Sequence, residues 1–240
     1  MLSYAAPRAP SSLLRSIRPK IIFGMIEAAF PNENVPFHSI MPPTDIGGLT
    51  LLEGALIASL VRLRGAQNIF EFGTYKGATS VLLAMNSTPN ARITTLDIDP
   101  AEVSAMHARN AAGKASVDND HYLRGVRANE GAPYIMQADQ ALRDKIRPLL
   151  HDSLTLDLDA FGFRRAFDLI FIDGGHDYAT VKSDSEKAFE MADEDAVIIW
   201  HDYGSPTHTD VTAYVNKLAE THPVTHVEAS MLAISWSKLS

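Results

Sequence analysis

The 240-residue sequence predicts an α/β fold: a doubly wound, seven-stranded sheet, mostly parallel, with an antiparallel strand in a C-terminal hairpin and extra helices at the N-terminus. Three observations lead there. From residue 68 onward, short apolar runs alternate with segments of helical spacing, the pattern of parallel strands joined by crossover helices. Two runs, Phe167–Ile172 (FDLIFI) and Ala196–Trp200 (AVIIW), are apolar almost throughout, as strands covered on both faces are. The last two, Val224–Glu228 and Met231–Trp236, are separated only by Ala229 and Ser230, which is too short for a crossover and makes a hairpin.

In chain order, segments 21–30 and 49–64 carry apolar residues at helical spacing, and 31–48, rich in Pro, Gly and Asn, reads as the loop between them. Asn68–Phe72 is the first strand, followed by a glycine turn and a helix over Ala78–Met85. Arg92–Asp97 is the second, with Pro100 opening the next helix. The stretch 101–147 is longer than one crossover helix and polar, so it reads as an insertion near the site, with Asp118–Tyr122 as a loop. Leu149–His151 is a short third strand, and Phe167–Ile172 and Ala196–Trp200 are the fourth and fifth. Helices over Tyr178–Met191 and Thr209–Glu220 follow the fourth and fifth strands. The expected organisation is an arm and lid helix over 1–48, then one domain over 49–240.

Composition narrows the function. Twenty-one basic against 29 acidic residues leave a net charge of −8, which argues against a nucleic-acid partner. The absence of cysteine excludes disulfides, thiolate metal sites and a cysteine nucleophile. No apolar run approaches the length of a membrane span, so the expectation is a soluble, cytoplasmic chain with no membrane partner. Arg8, Arg15, Arg18 and Lys20 precede the first acid, Glu27, as in a transit peptide; Pro7, Pro10 and Pro19 would break an amphipathic helix and favour a mobile or partner-wrapping arm. The two N-terminal apolar helices exceed what the sheet needs, and can cover the site or pack on a second subunit, which makes a homodimer the expected assembly.

In an open sheet the ligand lies beyond the carboxyl ends of the strands, where the strand order reverses. Gly73, Asp97, Asp152, Asp173 and His201 all sit at or just past such ends. The turn from Glu71 to Gly77 has neither the GxGxxG nor the GK[ST] pattern, so a ligand without a pyrophosphate fits better. Asp97 closes the second strand 24 residues after Gly73, where a carboxylate can take both hydroxyls of a ribose. A second constellation, Asp173, His176, His201 and Asp202, gathers at the ends of two neighbouring strands, and carboxylates with imidazoles suit a divalent cation. Plainer alternatives are a helix cap at Asp173 and a buried hydrogen-bonded pair at His201 and Asp202.

Taken together, E-x-G-x-x-x-G, LDID, HDS, FDLIFIDGGHDY and IIWHDYG resemble the class I S-adenosylmethionine-dependent methyltransferases, a Rossmann-like fold, over about residues 49–236. The resemblance is to the branch with IDGGH-x-Y and HDY motifs. It implies that Glu71, Gly73, Thr74 and Gly77, with Asp173, line the methionine end of S-adenosylmethionine, that Asp97 holds the ribose, and that Asp152 and Ser153 meet the adenine, with Asp139 as the competitor for Asp152. The second constellation is similar to that of the catechol-type and macrolide-sugar O-methyltransferases. This implies a divalent metal on Asp173, His201 and Asp202, and His176 as general base. Those enzymes carry an acid where this chain has His201, which leaves magnesium, manganese, iron and zinc all open. A base and a metal together suit a hydroxyl, because an alcohol must lose its proton to attack a methyl group. The implied acceptor is a hydroxyl on a small molecule: a sugar, glycan or natural product. Two alternatives stand beside this: a non-haem iron oxygenase using His176, His201 and one carboxylate, and a non-catalytic S-adenosylmethionine-binding protein.

Overall fold

Each central strand sends alternate side chains to opposite faces of one sheet, and each face has its own core. Leu169 and Phe171 of one strand and Val197 and Ile199 of the next pack with Ile22, Leu56, Ile57 and Leu60 on the first face. Ile170, Ile172, Ile198 and Trp200 pack with Val181, Val211 and Val215 on the second. Period-two alternation between two apolar layers is what lets these strands be hydrophobic throughout. The computed structural model describes residues 14–40, 47–99 and 115–239. The helix start expected at Pro100 and the basic and proline positions before residue 14 lie outside them.

The strands are β1 (Arg15–Ile17), β2 (Asn68–Phe72), β3 (Arg92–Asp97), β4 (Ile146–Leu150), β5 (Phe167–Ile172), β6 (Ala192–Trp200), β7 (Thr225–Val227) and β8 (Ala233–Ser235). Their order across the sheet is β1-β7-β8-β6-β5-β2-β3-β4. Only β8 runs antiparallel to its neighbours, as the short hairpin connection requires. The sheet has eight strands rather than the expected seven, because Arg15–Ile17 of the N-terminal arm pairs parallel with β7. The strand β4 is a free edge, and it accommodates Pro148 there, opposite Thr95 of β3.

Helices α1 (Pro19–Ala29), α2 (Leu51–Arg64) and α3 (Ala78–Asn86) precede the insertion, which supplies α4 (Ala115–Glu130), α5 (Pro133–Gln137) and α6 (Gln140–Arg143); α7 (Leu158–Phe161), α8 (Tyr178–Met191) and α9 (Thr209–Leu218) follow. Thr50 and Glu53 form a capping box that starts α2: the Thr50 hydroxyl accepts from the Glu53 amide, and the Glu53 carboxylate accepts from the Thr50 amide. The cluster at 118–122, expected to be a loop, lies within α4.

Strand order reverses between β2 and β5, since the chain leaves β2 towards β3 and β5 towards β6. The backbone ladder continues one residue past each strand. Gly73 N–H donates to Leu96 O (2.8 Å), Asp173 N–H to Phe72 O (2.9 Å) and His201 N–H to Ile172 O (3.1 Å). The turn residues are therefore pinned in register with the sheet. Gly73 has φ +92°, and a Cβ there would lie 1.9 Å from the Asp173 carbonyl oxygen. What bars a side chain at Gly73 is thus the protein's own backbone across the reversal point. Replacing Gly73 with Ala should destabilise the fold by well over ~2 kcal/mol in urea unfolding, from left-handed strain plus displaced backbone. Gly24, inside α1 with nothing within 4 Å of where a methyl group would sit, should gain ~0.5–1 kcal/mol on replacement by Ala. Equal effects of the two changes would contradict this account of the turn.

Candidate active site

One cavity of about 530 Å³ opens above the reversal point, walled by the turns after β2, β3, β4, β5 and β6, by residues 47–51 and by the inner face of α4. Of the expected site residues, Gly73, Thr74, Asp97, Asp152, Ser153, Asp173, His176, His201 and Asp202 line it. Glu71 and Gly77 stand behind its wall: Glu71 is fully buried, and a Cβ on Gly77 would run into Ile135 Cγ1 at 2.4 Å. Asp139 sits at the start of α6, away from the cavity, so Asp152 is the acid that the fold brings to the site. Helix α1 contributes nothing to the lining, and the cover expected of it comes from the segment leading into α2.

The β2–β3 half of the cavity is built around Asp97. Its two oxygens accept from the amides of Tyr75 (2.9 Å) and Ile98 (2.8 Å), which fixes the carboxylate at the strand end. The Arg127 guanidinium of α4 approaches it to 3.4 Å. Burial raises Asp97 above the usual carboxylate range, and Arg127 and the two amides offset part of that. Thr74 hydrogen bonds Thr95 at 2.6 Å, tying the glycine turn to β3. Behind them Glu71 accepts from the hydroxyls of Ser80 and Thr95, while its other oxygen has no hydrogen-bond partner among the described residues. On the β4 side, Asp152 caps a short turn by accepting from Leu154 N–H at 2.9 Å. Buried Asp184 of α8 adds a further acid to the lining there, pushed by burial to about 7 despite a hydrogen bond from Ser153.

The β5–β6 half holds the second constellation. Asp173, His201 and Asp202 bring one ligand atom each to within 4.8 Å of one another. His201 Nδ1 lies 3.2 Å from Asp173 and 3.6 Å from Asp202. His176 Nε2 lies 3.0 Å from Asp202 and 3.8 Å from Asp173. Asp202 holds a left-handed backbone, φ +59°, which aims its carboxylate back at the two rings. Against the cost of burial, Asp120 of α4 with Asp173 and Asp202 lifts His176, and Asp173 and Asp202 lift His201, well above the usual histidine range, and the rings hold Asp202 well below the carboxylate range. The mutual pairing is what makes so many ionisable groups tolerable inside one cavity.

Three partners were not expected from the sequence. Asp120 of α4 accepts from both His176 Nδ1 (2.5 Å) and the His176 amide (3.0 Å). Glu53 of the α2 capping box lies 3.8 Å from His201 Nε2. Against burial, His201 together with the amides of Met231 and Thr50 holds it at about 2. His208, at the start of α9, stacks on His176 with ring centroids 3.8 Å apart; Asp120, His176 and His208 form a second group able to converge on one ion. The helical spacing over 49–64 gave the helix, but nothing in it signalled that Glu53 caps α2 and faces a strand end.

The profile of the methyltransferase domain family matches residues 70–203, more than half of the chain, from within β2 to the turn after β6. The chain therefore belongs to that methyltransferase family, and its strand order is that of the class I, S-adenosylmethionine-dependent methyltransferase fold. Among solved structures, S-adenosylhomocysteine-bound PaMTH1, a methyltransferase from Podospora anserina, is 15% identical over 93% of this chain and 90% of its own, with a TM-score of 0.51. A protein assigned as a caffeoyl-CoA O-methyltransferase from Staphylococcus aureus is 19% identical over 90% of this chain and 91% of its own, with a TM-score of 0.52. Another, assigned as an O-methyltransferase from Klebsiella pneumoniae, is 18% identical over 95% and 91%, with a TM-score of 0.50. At this identity the likeness is one of fold. No curated protein matches the sequence. No helix among the described residues is long and apolar enough to cross a membrane.

Glu71 gives this half of the site a pH signature. Burial, against the Ser80 and Thr95 hydrogen bonds, pushes its carboxyl up to about 8, so the folded protein binds a proton there that the unfolded chain releases above its ordinary carboxylate range. Its contribution to stability is complete below pH ~4.5 and falls as pH rises towards about 8. Glu71→Gln keeps a neutral side chain at every pH. Unfolding free energies should therefore favour the variant over wild type by an amount that grows by ~1–4 kcal/mol between pH 5 and pH 8. A difference that does not change with pH would mean that Glu71 is ionised in the folded protein.

Proposed function

We propose that the protein transfers the methyl group of S-adenosylmethionine to a hydroxyl on a small molecule, with a divalent cation assisting. The observation that carries this reading is the convergence of Asp173, His201 and Asp202 in the same cavity as Asp97. Two carboxylates and an imidazole are a fitting donor set for manganese, iron or zinc, and two carboxylates serve magnesium less completely. Glu53 stands behind His201 as an orienting carboxylate of the kind that supports metal-bound imidazoles. When bound, the ion would lower the pKa of an acceptor hydroxyl beside it.

The chain's own residues do the rest. Asp97, held by two backbone amides, accepts hydrogen bonds from the ribose hydroxyls. The glycine turn and Asp173 border the methionine end, and Asp152 and Ser153 the adenine end. Asp120 fixes the ring of His176 through Nδ1, and Nε2, which faces Asp202 at 3.0 Å, is the atom that would take the acceptor's proton once a bound cation, by drawing off the charge of Asp173 and Asp202, lets the ring give up its own. In the transfer the acceptor oxygen forms a bond to the methyl carbon as the carbon–sulfur bond breaks in line, and the products are a methyl ether, S-adenosylhomocysteine and the proton on His176.

Two experiments test this. Asp97→Ala should weaken S-adenosylhomocysteine binding in calorimetry by ~1–3 kcal/mol, and unchanged affinity in a folded variant would remove the ribose assignment. Chelation, and Asp173→Ala likewise, should abolish methyl transfer and metal content. His176→Ala should instead keep its metal while the rate falls by ~10²–10⁴. Metal lost from His176→Ala but retained by His201→Ala would exchange the two roles.

A further inference from the structure

Three cations of the protein line the cavity: Lys76, Arg124 and Arg127. Lys76 Nζ is 3.0 Å from Glu130, and Arg127 Nε is 3.4 Å from Asp97, an ion pair without a hydrogen bond. Arg124 is farther from any acid. Its side chain is only 13% exposed, yet its guanidinium makes no hydrogen bond with any described residue, and its nearest acid is Asp120 at 3.8 Å. Both oxygens of Asp120 also accept from His176, and at 3.8 Å the guanidinium makes no hydrogen bond to either. A guanidinium has five donors in a planar fork, and confining one without hydrogen bonds is costly unless something else supplies the oxygens.

Where Arg124 points identifies what that is. Its Nη2 stands 3.4 Å from the position that a side-chain carbon on Gly175 would occupy, two residues beyond Asp173 and next to His176. It is therefore on the β5 side of the cavity, with the candidate cation ligands, and not beside Asp97 on the side assigned to the ribose. Helix α4 presents Asp120, Leu123, Arg124 and Arg127 to the cavity along one face, so the placement of Arg124 is set by the same helix that fixes His176.

We propose that Arg124 determines acceptor specificity by binding a carboxylate, so that the natural acceptor is a hydroxy acid whose hydroxyl reaches the Asp173–His201–Asp202 group while its carboxylate lies on the guanidinium. The proposal rests on the methyl-transfer reading of this cavity and adds the substrate class to it. Arginine's fork matches a carboxylate with two parallel hydrogen bonds, which fixes orientation as well as charge. The same chemistry is present in the methionine carboxylate of the cofactor, and the test separates the two sources.

Calorimetry on the S-adenosylhomocysteine-saturated protein with 3,4-dihydroxybenzoate and with glucuronate, each beside its methyl ester, provides that test. At least one acid should bind wild type about 10- to 100-fold more tightly than its ester, as expected for hydrogen bonds to a charged group. Arg124→Met should remove the difference while leaving ester and S-adenosylhomocysteine affinities within about twofold, and Arg124→Lys should restore part of it. Equal binding of acid and ester by wild type, or an acid preference that survives Arg124→Met, would overturn the proposal. So would an S-adenosylhomocysteine affinity that falls about as far in Arg124→Met, because that assigns the guanidinium to the cofactor's carboxylate. Failure of wild type to bind S-adenosylhomocysteine at all would remove the methyl-transfer reading itself, a result distinct from each of these.

Discussion

Strands β2 and β5 lie side by side, but the chain leaves them in opposite directions, and the gap between the two departing turns is where everything else is hung. That gap is held to its width by backbone. The Asp173 carbonyl occupies the space that any side chain on Gly73 would need, and the amides of Gly73 and Asp173 are still bonded to the neighbouring strands. The turns cannot separate without breaking the sheet ladder, and cannot approach without a clash. Asp97 on one side and Asp173, His201 and Asp202 on the other are consequently fixed relative to each other by the sheet. A group-transfer site needs this, because an in-line displacement tolerates little misplacement of donor and acceptor.

The remaining walls come from helices whose termini and faces were recruited to the strand ends. Glu53 caps α2 and in the same position faces His201. Asp120 lies on α4 and holds His176 from the far side. His176 and His201 thus each have one nitrogen facing the acids at the strand ends and the other facing an acid from a helix. Such a sandwich orients the rings and sets which nitrogen is available, and it couples the insertion directly to the chemistry. The insertion is a working wall of the site: without α4, Asp97 would lose Arg127 and His176 would lose its anchor.

Much of this was legible in the sequence, and the reasons differ by element. The bounds of β2, β3, β5 and α8 agree to the residue with the sequence expectation, because apolar runs between glycine, proline and acid punctuation leave little choice of register. The strand β1 was invisible: Arg-Ser-Ile is too short to carry a period, and what makes it a strand is its three-residue pairing with the distant β7. The first residues of β6, Ala-Asp-Glu-Asp, look like a turn, and the register with β5 shifts across them, from Ala192 opposite Phe167 to Val197 opposite Leu169. Helix α4 was read as partly loop because its inward face is polar, built for a cavity and not for a core. Among site residues, those just past strand ends were found by the strand-end rule. Glu53, Asp120, Arg124 and His208 lie on helices, where a lone polar residue carries no signal of what it faces. Glu71 and Gly77 were assigned to the ligand from the motif, whereas their packing behind the wall explains them structurally.

The central claim is that one cavity holds the cofactor by the ends of β2 and β3 and a cation by the ends of β5 and β6. It is tested most directly by a crystal structure of the protein with S-adenosylhomocysteine and manganese, using anomalous scattering to find the ion. The account predicts ribose hydroxyls within hydrogen-bond distance of Asp97 and a single anomalous peak between Asp173, His201 and Asp202. A ribose bound elsewhere, or an ion centred on Asp120, His176 and His208 with none on the first group, would contradict it.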